Sequence, residues 1–253
     1  MPNVSIATSR GTMPAYLAVP DGSAQAGGVV VIHDVGGMSV DHRAQADWLA
    51  EAGFLALAID LYYLGGLFHC VRTIMRDAAA RSGPTFDDIE AARQWLVAQP
   101  GCNGRIGVIG FCMGGGFALM LVSDHGFSAA SINYGGHLPK DVATFLRGAC
   151  PIVGSYGAKD HWNKGVATQL EVLLAQATIP HDVKEYPEAG HSFMNRHERQ
   201  WFKLLRWVNI AFDEPAALDA RHRIAFFFRL HLEGAKQADG EVAEPEGIGS
   251  QSP

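Results

Sequence analysis

The chain has 253 residues, 48% hydrophobic and 18% charged, with 29 glycines and a formal net charge of −6. That length suits one α/β domain whose core is large enough to need no covalent staples. The negative balance excludes nucleic-acid binding by bulk electrostatics, and no apolar run approaches the ~18 residues that span a bilayer. The opening Met1-Pro2-Asn3-Val4-Ser5 has no basic start followed by an apolar stretch, so no secretory leader is expected. Cys70, Cys102, Cys112 and Cys150 are widely spaced with no C-x-x-C pair, which argues against a metal site or a disulfide framework. A reducing, cytoplasmic setting fits that usage.

In chain order, residues 4–8 and 15–18 read as short edge strands. Residues 28–33 form a nearly unbroken apolar run, the signature of a parallel strand covered on both faces. A helix pattern follows over 41–52 and stops at Gly53, and residues 54–60 are the next buried strand. The segment 61–70 is rich in glycine and aromatics, with helical pattern resuming to about Ala80. Thr85, with Asp88 three residues on, reads as the capping box of a helix carrying Ile89, Ala92, Trp95 and Leu96 on one face, stopped by Pro100-Gly101. Strand 105–110, helix 114–123, strands 128–133 and 152–156, helix 164–177 and strand 182–186 then alternate, and a last helix covers 215–232. Repeated β-α-β alternation predicts a mostly parallel central sheet with helices on both faces. Residues 1–233 form the expected domain, and the small, polar, acidic 234–253 reads as a disordered tail.

Gly110-Phe111-Cys112-Met113-Gly114 carries the strongest chemical signal. It joins a buried-strand signal to a helix start, with glycine two residues on either side of a reactive side chain, the pattern of a nucleophile elbow. Bulk at the flanking positions would clash as strand turns into helix. The glycines at 107, 110, 114, 115 and 116 miss the G-x-G-x-x-G spacing of a dinucleotide site. Against the elbow stands inert packing, the usual fate of a lone cysteine.

A thiol with pKa near 8.5 is mostly protonated at neutral pH and needs a base, itself oriented by a carboxylate. Elbow enzymes bring these in the order nucleophile, acid, histidine from loops at strand ends. Asp160, after strand 152–156 in Gly157-Ala158-Lys159-Asp160, and His191, in Ala189-Gly190-His191-Ser192-Phe193, meet that order. Asp160 also reads as an ordinary helix cap, and His161 is the competing base.

Together these motifs resemble the dienelactone hydrolase family of α/β-hydrolases, over roughly residues 3–233. The resemblance implies a single-domain α/β-hydrolase fold, with Cys112 as nucleophile, Asp160 as orienting acid and His191 as base. It implies backbone oxyanion donors at Val35 and Met113, no cofactor, and a small ester or lactone as substrate for a monomer or small homo-oligomer. Where the family carries a thiol-tuning glutamate, this chain has Asp34. The family's substrate-holding arginines map onto Arg72 and Arg76, while the position after the histidine holds Asn195, with Arg196 next to it. Tyr62 and Tyr63, and a second aromatic cluster around Trp201 and Phe212, are candidates to cap an apolar pocket, or else satellite core. The expectation is thus a hydrolase working through a Cys-His-Asp set and a thioester. The alternatives are a non-hydrolytic ligand-binding or scaffold protein of the same fold and, more weakly, a thiol redox sensor.

Overall fold

The computed structural model describes residues 3–22, 25–136, 138–196 and 210–233, with 67–69 and 145 described in backbone only. Eight strands form one sheet: β1 Val4–Thr8, β2 Gly11–Ala18, β3 Ala26–Ile32, β4 Leu55–Ile59, β5 Cys102–Phe111, β6 Ala129–Asn133, β7 Ile152–Gly157 and β8 His181–Tyr186. Their order is β1-β2-β4-β3-β5-β6-β7-β8. Only the β1–β2 and β2–β4 pairs are antiparallel, and every pair from β4 to β8 is parallel. The helices are α1 Val40–Glu51, α2 Leu67–Ala80, α3 Pro84–Val97, α4 Met113–Met120, α5 Val142–Phe145, α6 Val166–Gln176 and α7 Glu214–Leu232.

Alternation along β3 explains why helices cover both faces. Val30 and Ile32 pack into a core shared with α2, α3, α4 and α6, while Val29 and Val31 pack into a second core with α1 and α7. A strand buried on both sides reads as an unbroken apolar run, as this one does. This is the α/β-hydrolase fold that the motifs imply.

The local departures have simple causes. β2 begins four residues before the expected strand because Pro14 turns its nitrogen away from β1 and past the end of β4, so the β1–β2 ladder loses no bond, and its carbonyl on that side accepts from Asp60 N–H (3.1 Å). Thr85 does not cap α3. Gly83 holds the N-cap position at φ 118° and Pro84 fills the first turn. The Thr85 N–H and hydroxyl both donate to Asp77 Oδ2 of α2, at 3.0 and 2.7 Å, so the cap comes from another helix. Asp88 instead lies fully buried, bonded to Arg10 and Tyr63. α4 ends at Met120, and the short α5 was not foreseen. Residues 234–253, read as a tail, lie outside the described residues. Among the described residues no helix is long and apolar enough to cross a membrane.

Candidate active site

The end of β5 meets α4 in a turn that only this glycine pattern permits. A Cβ on Gly110 would lie 1.9 Å from Gly114 O, and one on Gly114 would lie 2.4 Å from Ile32 O. Both obstacles are backbone, so no rotamer change relieves them. α4 therefore begins hard against the ends of β3 and β5, and Cys112 between them is forced to φ 53°. A non-glycine residue there is strained by about 1–3 kcal/mol and persists only when its surroundings over-determine it. Those surroundings are Asn133 O, which accepts the Cys112 N–H (3.0 Å), and Cys112 O, which accepts from Gly116 N–H (3.1 Å). Cys112 is half-buried and lines a cavity of about 670 Å³, while Cys70, Cys102 and Cys150 are buried elsewhere.

The turns after β7 and β8 are tied to each other. Ala158 N–H donates to Tyr186 O and Lys159 N–H to Ala189 O, both at 2.9 Å. Gly157 makes that approach feasible, since a Cβ there would lie 2.5 Å from Ala189 O. The pairing brings Asp160 Oδ2 to 2.7 Å from His191 Nδ1. Cys112 and His191 line the same cavity, close enough for the sulfur to raise the pKa of the imidazole, and with Nδ1 turned to Asp160, Nε2 is the nitrogen left for the sulfur. The thiol, imidazole and carboxyl picked out from the sequence thus gather at one place.

Charge at this place is set by burial against hydrogen bonding. Burial opposes a charged His191, but its hydrogen bond to Asp160, the nearby Cys112 sulfur and the charge on Asp160 outweigh that and lift its pKa to about 9. Burial also opposes ionisation of Asp160, yet bonds from His191, from the Asn163 side chain and from Trp162 N–H hold its carboxyl below the usual range. The same physics runs the other way at His33, next to Asp34. Burial and the neighbouring His42 lower its pKa to about 4. The ring therefore stays neutral, donating to Asp34 O (2.7 Å) and accepting from Leu61 N–H (3.1 Å).

Val35 and Met113 both line the cavity beside Cys112. Met113 is the first residue of α4, so its N–H has no intrahelical acceptor. Asp34 also lines the cavity, with Oδ1 accepting from Gly36 N–H (2.6 Å).

Several sequence candidates stand elsewhere. Arg72 and Arg76 are exposed on α2, Arg76 bonds the Asp77 carboxylate, and neither lines the cavity; Met75 and Ala78 of the same helix do. Tyr62 is buried behind the loop, against Gly37, with its hydroxyl donating to Val35 O (2.9 Å). It braces the loop that carries Val35 and forms no part of the cavity wall. The Tyr63 hydroxyl bonds Thr8 and Asp88. Arg196 extends to Glu214 and over the Phe212 ring, and His161 is exposed outside the lining. Trp201 lies outside the described residues.

Three side chains went unread in the sequence. Asn163, buried, donates from Nδ2 to Asp160 Oδ2 (2.5 Å) and to Tyr134 O (3.2 Å). Trp162 sets its ring edge-on to His191, centroids 4.9 Å apart. Tyr134, at φ 42°, packs its ring on His191 and donates its hydroxyl to Asn195 Oδ1. Only the closeness of Trp162 and Asn163 to Asp160 in the chain offered any signal.

Comparison with known proteins agrees with this geometry. The model of the dienelactone hydrolase family matches residues 13–232. A carboxymethylenebutenolidase of Pseudomonas putida is 28% identical over 174 residues, covering 65% of this chain and 74% of its own. That of Rhodococcus opacus is 29% identical over 209 residues, covering 76% and 81%. A solved dienelactone hydrolase from Anabaena variabilis superposes with TM-score 0.63 at 22% identity over 90% of this chain and 96% of its own, a likeness of fold.

Proposed function

Since the chain belongs to the dienelactone hydrolase family and is a hydrolase of ester or lactone bonds, we propose that it acts through Cys112, His191 and Asp160 by way of a thioester. In this reading His191 takes the Cys112 thiol proton as the sulfur attacks, and its raised pKa favours the imidazolium so formed. The sulfur bonds to the carbonyl carbon, and the carbonyl π pair moves to oxygen. The N–H groups of Met113 and Val35 hold that oxyanion, a term for which one lost donor typically costs about 10²–10³ in rate. As the intermediate collapses, the bond to the leaving oxygen breaks and His191 Nε2–H gives that oxygen its proton. Neutral His191 then takes a proton from water, whose oxygen attacks the thioester. The acid leaves, and the imidazolium returns its proton to the sulfur. Asp160 holds the Nδ1–H throughout and stabilises the cation without accepting the proton.

The observation that carries this reading is the 2.7 Å His191–Asp160 bond beside a strained, cavity-lining Cys112. The test is an aryl-ester and lactone panel run on the wild type, Cys112→Ala and His191→Ala. Loss of turnover in both variants is expected, and equal turnover in all three would end the proposal.

A further inference from the structure

The cavity's walls define a substrate class more narrowly than ester or lactone. Met113, Gly116, Phe117 and Met120 stand at i, i+3, i+4 and i+7 of α4 and all line the cavity. They form one helical face, so an apolar floor runs from Cys112 for about 10 Å at 1.5 Å per residue. Gly116 keeps that floor low, its missing Cβ leaving room beside Gly135 O at 3.1 Å. Across it stand Met75 and Ala78 of α2, Pro139, Trp162 and Ile210. The thioethers in this wall adapt their shape to what they touch, as unbranched methionine does. Among the described lining residues the polar side chains gather at the Cys112 end, in Asp34, Tyr134, Asn163, His191 and Ser192.

Charge points the same way. Among the described residues that line the cavity none is lysine or arginine, and Asp34 is the acidic side chain there. A substrate carboxylate lying along the floor would lose its water, find no cation among the described residues of this wall and share the space with another carboxyl. An unpaired charge moved into apolar surroundings is strongly disfavoured.

We propose that the site takes uncharged esters or lactones whose apolar acyl or aryl group lies along the α4 floor, and that it discriminates against carboxylate-bearing ones. This rests on the Cys112 reading above and adds to it the nature of the group bound.

The experiment compares p-nitrophenyl acetate, butyrate and hexanoate with p-nitrophenyl monoadipate, which replaces the hexanoate methyl by a carboxylate. All four share a leaving group, and Cys112→Ala supplies the background. Burial is worth at most about fourfold per methylene, and we expect kcat/KM to rise at least about tenfold from acetate to hexanoate. Hexanoate should exceed monoadipate at least about tenfold. Met75 is 55% exposed, so Met75→Arg sets a cation on the cavity wall at a tolerant position and should narrow the hexanoate-to-monoadipate ratio. A flat chain-length series, or monoadipate cleaved as well as hexanoate, with turnover still dependent on Cys112, overturns the substrate class and leaves the mechanism standing. Turnover of every ester unchanged in Cys112→Ala overturns the mechanism and this inference with it.

Discussion

Asn163→Ala tests the geometry at the residue that joins the acid to the rest of the site. Its Nδ2 donates to Asp160 Oδ2 at 2.5 Å and to Tyr134 O at 3.2 Å, from a side chain 1% exposed. A hydrogen bond to a charged group contributes about 1.5–3 kcal/mol and a neutral one about 0.5–1.5 kcal/mol. Water entering the vacated space recovers part of the sum, so the expected loss is about 2–4 kcal/mol, read as the difference in unfolding free energy from urea titrations at pH 7. Asp160 also loses one of the bonds that hold its pKa down, so the variant should lose stability at a higher pH than the wild type on acidification. Ester turnover should fall with it, because an acid freed on one side orients His191 less well. A variant within about 0.5 kcal/mol of the wild type, with an unmoved acid limb, would refute the claim that Asn163 anchors Asp160.

Three further outcomes follow from the same coordinates. The folded pKa of His191 is raised from 6.5 to about 9, so its contribution to stability is whole below pH 6.5 and disappears as pH climbs through about 9. The unfolding free energy of the wild type minus that of His191→Gln, measured from pH 6 to 10, should shrink over that window. Gly114→Ala and Gly110→Ala force a Cβ to 2.4 and 1.9 Å from backbone oxygens and should cost about 3 kcal/mol or more. Gly101→Ala, whose Cβ would meet Leu55 Cδ1 at an ordinary 3.7 Å, should stay within about 0.5 kcal/mol of the wild type in the same denaturation assay. Tyr134→Phe strands the buried Asn195 Oδ1 and should cost about 1–3 kcal/mol by the same measure.

The sequence by itself determined whatever depends on neighbours along the chain. The unbroken apolar run of β3 needs cover on both faces wherever it lies, and a strand that turns straight into a helix around residue 112 excludes side chains at 110 and 114. The order of Cys112, Asp160 and His191 was legible because each sits at the end of its own strand, and parallel strands put those ends at one edge of the sheet. What only the tertiary structure decided is which way helices and loops face once packed. Arg72 and Arg76 share the outward side of α2 because Ile74 and Asp77 are pulled inward, Ile74 into the core and Asp77 onto Thr85. That rotation turns Met75 and Ala78 to the cavity and leaves it an apolar wall. Tyr62 likewise became a brace because Gly37 leaves room for its ring. Asn163 and Tyr134 join the site through bonds to carbonyls and side chains far along the chain, which no local pattern encodes.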